Sequence, residues 1–272
     1  MTHTFRSLLF VPGARPDRFD KAAASGADTI IIDLEDAVVP ADKDTARSQS
    51  LDWLEARANG VIAGVRVNSP RSGDGCRDLG ALTAGNARPD FVMVPKAETG
   101  VDVEIVNEVL GGQIPVIALI ESGRGLRRAF DIAKEARGGV LFGGADFSAS
   151  LGADLTDWDA MLVARGTITA ACGAAGVPAY DVPFLDVKDE GGLTTQTRRA
   201  RSMGFSGRAC IHPSQVASVN TVFTPSDSEV EDARAIIKSL ENAKGGAVLH
   251  NGKLVDRPVI LAAERTLAQA GH

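Results

Sequence analysis

Glu121, Asp146 and Arg66 each stand at or just after a short apolar run, a placement that can bring two carboxylates and a guanidinium into one small space. Further polar residues follow other runs of the same kind: Asp33, Glu35 and Asp36; Asn68; Lys96 and Glu98; Asp181 and Asp186; and His212. So many carboxylates beside one Arg and one Lys are costly to gather unless a cation or an anionic ligand balances them. Oxygen donors without a thiolate or a histidine cluster suit Mg²⁺, which takes one or two carboxylates and fills its remaining positions with water and substrate oxygens. Glu121 and Asp146 are the expected metal pair, and Arg66 is placed to grip a substrate carboxylate with two parallel hydrogen bonds. Pairing of these acids with Arg66 and Lys96, without a metal, is the competing reading. Asp33, Glu35 and Asp36 suit helix capping or ion pairing as well as function. Asn68 fits a turn, Lys96 a solvated ion pair, and His212, before Pro213, a helix start.

The elements that must position these groups are legible as eight apolar runs: 7–11, 29–33, 61–67, 91–94, 115–120, 139–143, 178–182 and 207–211. Continuous runs rich in Val and Ile suit strands buried on both faces, as in a parallel sheet. Helical patterns lie between them at 16–25, 42–58, 101–110, 124–136, 157–175, 194–202 and 213–220, with Gly26, Gly112 and Gly176 where helices should end. Eight strand–helix units predict a closed (β/α)₈ TIM barrel, whose chemistry sits at the C-terminal ends of its strands. The rival, an open doubly wound sheet, lacks its glycine fingerprint: the first strand ends Val11-Pro12-Gly13, and Pro12 has no amide to offer a phosphate. The barrel is expected over 1–223. A C-terminal extension or lid over 224–272, part of the same unit, is expected to hold helices at 226–243 and 258–270 around a loop or small hairpin.

Read together and in order, RSLLFVPGARPDRFDKA (6–22), DLEDAV (33–38), VRVNS (65–69), VPKAET (94–99), IESGRG (120–125), GGADFSASLG (143–152) and GFSGRACIHPSQV (204–216) give the chain an almost end-to-end likeness. It resembles the citrate lyase β-subunit-like proteins of the HpcH/HpaI aldolase superfamily. The resemblance implies a (β/α)₈ barrel assembled as a homotrimer or hexamer, with Mg²⁺ on Glu121 and Asp146. It implies that Arg66 contacts the substrate acid, that the backbone amides of Phe147 and Ser148 cradle the same carboxylate, and that Arg6 and Lys21 lie near the thioester carrier. The implied chemistry is reversible: citryl-, malyl- or citramalyl-thioesters are split to a 2-oxo acid and an acetyl- or propionyl-thioester. Hydrolysis of the condensed thioester, as in malate or citramalate synthases, a CoA-independent class II pyruvate aldolase, and a citrate lyase subunit working with an acyl carrier protein are the alternatives. GKLVDRP (252–258) is similar to the segment that supplies a catalytic Asp to the neighbouring subunit in the malyl- and citramalyl-CoA enzymes, which makes Asp256 its counterpart. Capping of the last helix, with Pro258 in the first turn, is the structural alternative. The chain departs from the family at Arg208, where Lys is frequent.

Composition narrows the partners. A net charge of −6 argues against nucleic acid, whose phosphates need a basic face. Three scattered cysteines form neither a disulfide framework nor a zinc spacing. The run Leu8–Val11 is too short for a signal peptide and no run reaches membrane-spanning length, so a cytoplasmic enzyme is expected.

Overall fold

Eight parallel strands close on themselves in the computed structural model, which describes residues 4–242, 248–250 and 253–270. They are β1 (Ser7–Pro12), β2 (Thr29–Asp33), β3 (Ala63–Arg66), β4 (Phe91–Val94), β5 (Val116–Ile120), β6 (Gly139–Phe142), β7 (Ala179–Asp181) and β8 (Gly207–Cys210). Each pairs with its chain neighbours, and β8 pairs back onto β1 with Ser7 opposite Arg208. The expected barrel is the observed one, and all eight expected runs are strands.

The helices that wrap the barrel are α1 (Phe19–Ala23), α2 (Lys43–Ala56), α3 (Gly73–Ala84), α4 (Gly100–Val109), α5 (Gly123–Leu126), α6 (Ala129–Glu135), α7 (Gly144–Leu151), α8 (Leu162–Ala175), α9 (Glu190–Ser202) and α10 (Val216–Phe223). Two of these, α3 and α7, were not expected. α3 carries glycines at 73, 75 and 80, which lower its helical propensity. It is anchored instead by Ser72, whose hydroxyl accepts the Gly75 amide at 3.0 Å. The helix expected over 124–136 is broken at Arg127–Arg128 into α5 and α6. α8 ends on Gly176 at φ 70°, a left-handed cap that glycine adopts without strain.

Strand alternation explains both the core and the site. Leu8, Ile31, Phe91, Met93, Ile117, Leu119, Leu141, Tyr180 and Ala209 join Phe5 in one buried cluster inside the barrel. Phe5 packs on the Phe91 ring at 5.5 Å and stacks on Tyr180 at 6.4 Å. A Cβ on Gly64 would collide with the Phe91 ring, so glycine there makes room for it. Successive inward residues are two apart. The next inward positions toward the C-terminal ends are therefore Phe10 after Leu8, Asp33 after Ile31, Arg66 after Gly64, Glu121 after Leu119 and Gly143 after Leu141.

The chain divides into two units, Met1–Asn220 and Thr221–His272. In the second, α11 (Asp227–Asn242) packs on α12 (Arg257–Gln269), and β9 (Val248–His250) pairs antiparallel with β10 (Lys253–Val255). Ser226 and Glu229 cap α11 reciprocally: the Ser226 amide donates to Glu229 Oε2 at 2.7 Å and the Glu229 amide to Ser226 Oγ at 3.3 Å. Gly245, Gly246 and Gly252 of the expected loop lie outside the described residues. Among the described residues, no helix is long and apolar enough to cross a membrane.

Candidate active site

The inward register ends in a cavity of about 360 Å³ at the C-terminal mouth of the barrel. Asp33, Asp36, Arg66, Glu121 and Asp146 supply its charged walls; Phe10, Leu119, Leu141, Val182, Leu185 and Ile211 supply much of the rest. The expected metal pair and the expected substrate anchor thus line one space.

Glu121 follows β5 and is buried. Its Oε1 accepts the Lys96 amide at 2.7 Å. Asp146 follows β6 in the first turn of α7, a helix the sequence did not predict, and its carboxylate is exposed to the cavity. A Cβ on Gly143 would come within 2.5 Å of Glu121 Cβ and 2.9 Å of its Oε2. Only glycine lets Glu121 lie flat against this turn. Burial raises the Glu121 carboxyl to about 8, and the negative charges of Glu35 and Asp146 push in the same direction. Two acids that repel each other across a cavity are what a divalent cation would relieve. Among the described residues no group of three or more Asp, Glu, His or Cys is arranged so that it could hold a metal ion by itself. That donor set fits Mg²⁺, which needs only one or two carboxylates when water and substrate complete its shell.

Arg66 forms a fork with Asp33: Nε to Oδ1 at 2.7 Å and Nη2 to Oδ2 at 2.6 Å. Its Nη1 lies 3.2 Å from Glu35 Oε2, and its guanidinium carbon is 5.0 Å above the Phe10 ring. Burial opposes the charge of Arg66, but Asp33 and Glu35 outweigh it and hold the guanidinium firmly protonated. Asp33 also accepts the Glu35 amide at 2.9 Å and the Ala37 amide at 3.2 Å, so it caps its own loop while it orients Arg66. Lys96 reaches Glu35 Oε1 with its ammonium and lies 3.6 Å from Asp36. Burial raises the Glu35 carboxyl, while Arg66 and Lys96 draw it back down.

Other expected positions fall elsewhere. Asp181 ends β7 but faces outward, because Tyr180 takes the inward position. It is fully buried between Arg165 of α8, at 2.9 Å, and Arg208 of β8, at 2.8 Å. Arg208 donates as well to the Val182 carbonyl and to Thr197 of α9, so the family's variable position is a packing device here. Asp186 accepts the Lys188 amide in a tight turn. Asn68 accepts from Lys43 and donates to the Leu34 carbonyl and to Asp78, tying the loops after β2 and β3. His212 caps the helical turn at Pro213 through the Ser214 amide, and Glu98 accepts from Arg71 and Arg124.

Three expectations from the resemblance need correction. The Phe147 amide donates to the Gly143 carbonyl at 3.0 Å and is already committed to the helix. Ser148 lies one residue deeper in α7, so neither amide is placed to cradle a carboxylate. The first-turn amides that precede the ladder belong to Gly144, Ala145 and Asp146, and all three residues line the cavity. Arg6 is at the opposite, N-terminal end of β1, where it pairs with Asp28 at 2.6 Å.

Lys21 does reach the C-terminal side. It lines a second cleft of about 490 Å³ with Arg15, Arg18 and His212, and Phe10, Val11, Pro12 and Ile211 border both spaces. Asp256 is exposed and caps α12, accepting the Val259 amide at 3.3 Å, with Pro258 in the first turn. Sequence reasoning missed the amide of Lys96 and the close approach at Gly143. A Gly-Gly pair directly after an apolar run was the available signal for the second.

Known proteins share this arrangement of motifs and fold. The profile of the HpcH/HpaI aldolase/citrate lyase family matches residues 6–213. The chain is 35% identical to an L-malyl-CoA/β-methylmalyl-CoA lyase of Rhodobacter capsulatus, over 97% of this chain and 94% of that protein. It is 35% identical to a (3S)-malyl-CoA thioesterase of Cereibacter sphaeroides, over 98% and 95%. In structure it is similar to the protein CitE of Mycobacterium tuberculosis solved with magnesium, acetoacetate and coenzyme A, with a TM-score of 0.83, 35% identity and full coverage of both chains.

Proposed function

The chain belongs to the HpcH/HpaI aldolase/citrate lyase family, and on that footing we propose that it is a Mg²⁺-dependent carbon–carbon lyase. It joins or splits a carboxylated 3-hydroxyacyl-CoA of the malyl, citramalyl or citryl type, with a 2-oxo acid and an acetyl-thioester as the other side of the reaction. The observation that carries this reading is the convergence of Glu121, Asp146 and Arg66 on one cavity.

Glu121 and Asp146 would hold the metal, which would supply positive charge to offset the negative charge that gathers on the 2-oxo acid's carbonyl oxygen as the bond forms. Arg66, steadied by Asp33, holds the acid's carboxylate with its remaining N–H groups, and the first-turn amides of α7 assist. In the condensing direction Asp256 removes a proton from the thioester's α-carbon. The electron pair left there forms the new bond to the carbonyl carbon, and the carbonyl oxygen takes a proton from water to end as a hydroxyl. The proton on Asp256 returns to the hydroxide so formed, which restores both the water and the carboxylate. Cleavage runs the same steps backward. The apolar walls of Leu119, Leu141 and Val182 limit water around the reacting carbons. The carrier's phosphates lie along the cleft of Arg15, Arg18 and Lys21. We assign the enzyme to the cytoplasm as a homotrimer or hexamer, the assembly in which the extension over 224–272 acts as a lid and Asp256 serves a neighbouring cavity.

Likeness to a (3S)-malyl-CoA thioesterase favours a second reading, in which the condensed thioester is then hydrolysed. Incubation of acetyl-CoA with Mg²⁺ and glyoxylate, pyruvate or oxaloacetate separates the two. An intact condensed thioester supports the lyase, and stoichiometric free thiol supports hydrolysis. Reaction only with an acyl carrier protein thioester would move the activity to that carrier, and no reaction with any donor would refute the reading.

A further inference from the structure

Lys96 is the only non-glycine residue with a left-handed backbone among the described residues, at φ 53°. Glycine would take that conformation without strain, yet a glycine could make only half of the contacts seen here. The backbone of Lys96 presents its amide to Glu121 Oε1 at 2.7 Å. Its side chain runs the other way, to Glu35 Oε1, with Asp36 3.6 Å off and exposed to solvent. Glu35 is shared, because its Oε2 lies 3.2 Å from Arg66 Nη1. One residue thus links the metal-binding carboxylate to the substrate anchor.

We propose that Lys96 is a positioning residue that fixes Glu121 through its amide and, through its ammonium, keeps Glu35 from neutralising Arg66. The proposal rests on the metal and anchor roles assigned above. Charge balance gives the reason. Asp33 and Glu35 both press on Arg66, and two buried carboxylates against one guanidinium leave a net negative surface for an incoming carboxylate. With Lys96 the four side chains Asp33, Glu35, Arg66 and Lys96 sum to zero, leaving only the solvent-exposed and better-screened Asp36, 3.6 Å from the ammonium, while Mg²⁺ balances Glu121 and Asp146. The 2-oxo acid then brings its charge to a surface that does not repel it. Without the ammonium the same surface repels the acid, while the nearby metal pair feels one positive charge fewer and attracts Mg²⁺ more strongly.

The two ligands should therefore respond in opposite directions, which a damaged loop would not produce. In Lys96→Gly the amide and the left-handed turn are kept and the ammonium is lost. Calorimetry with Mg²⁺ alone should show binding at least as tight as in the parent. Pyruvate added to the Mg²⁺-loaded variant should bind about tenfold more weakly or worse, and Lys96→Arg should restore most of that loss. Unchanged pyruvate binding in Lys96→Gly, or loss of Mg²⁺ and pyruvate together, would overturn the proposal. If neither pyruvate nor glyoxylate binds the Mg²⁺-loaded parent, the assignment of the site itself falls, and the proposal with it.

Discussion

Arg66 and Asp33 meet in a two-bonded fork, 2.7 and 2.6 Å, across paired ends of β3 and β2. The anchor of the cavity is thus fixed in direction before any substrate arrives, and the substrate acid must use the outer N–H groups. Such pre-set geometry lowers the entropy lost on binding.

A lysine in place of Arg66 cannot hold Asp33 and a substrate carboxylate with the same planar fork. Arg66→Lys is expected to raise KM for the 2-oxo acid by about tenfold to a hundredfold, the equivalent of one charge-assisted hydrogen bond of about 1.5–3 kcal/mol. Mg²⁺ affinity without substrate should stay near the parent value. Steady-state kinetics and a Mg²⁺ titration of the same preparation check both halves.

Glu121 gives the metal site a pH signature. Its folded carboxyl titrates at about 8 against 4.5 in an ordinary setting, so the metal-free fold holds a proton that the unfolded chain has released. The contribution of this group to stability is therefore greatest below about 4.5 and declines as pH rises toward 8. At pH 7, Mg²⁺ should displace about one proton per site, and the release should fade well above pH 8. Calorimetry in buffers of different ionisation enthalpy measures it, and a proton count of zero at pH 7 would contradict the assignment.

Gly143 tests the site by shape alone. In Gly143→Ala the new methyl would sit 2.5 Å from Glu121 Cβ and 2.9 Å from Oε2, so the carboxylate must turn away. The expected result is Mg²⁺ binding weakened by about tenfold or more, with a stability loss of about 1–3 kcal/mol from overpacking. A thermal melt confirms the fold, and an undiminished Mg²⁺ affinity would show that Glu121 does not need its observed pose.

Asp256 has two candidate roles that one substitution separates. Asn caps a helix as well as Asp does, so Asp256→Asn keeps α12 while removing the base. Mg²⁺ and 2-oxo acid binding should be preserved, while kcat falls by about 10²–10⁴, the usual share of a positioned acid or base. Exchange of the acetyl-CoA methyl protons in deuterated buffer should fall in step. Normal turnover would leave Asp256 as a cap only.

The barrel was legible because its strands are buried on both faces and read as apolar runs, FVMV throughout and TIIID over its three isoleucines. Helices whose stability comes from packing were less so: α3, rich in glycine, and α7, which begins on one, show little propensity of their own. The charged residues of the site were visible as a set, but their facing was not. Asp33 and Asp181 both end strands, yet one register points into the cavity and the other into the helix layer. A place after strand-like runs, and then the resemblance, pointed to Glu121, Asp146 and Arg66 as one site. The resemblance could not show that the Phe147 amide is spent on the helix ladder, which depends on where the unexpected α7 starts, whereas the run at 7–11 already put Arg6 at the N-terminal end of β1.

The central claim is that Glu121 and Asp146 together bind Mg²⁺. Calorimetric titration of Mg²⁺ into the parent, Glu121→Gln and Asp146→Asn, near-isosteric changes that each remove one carboxylate donor, tests it most directly. Binding at one site per chain in the parent, lost or weakened by at least about a hundredfold in each variant, is the expected result. Parent-like Mg²⁺ affinity in either variant would contradict it.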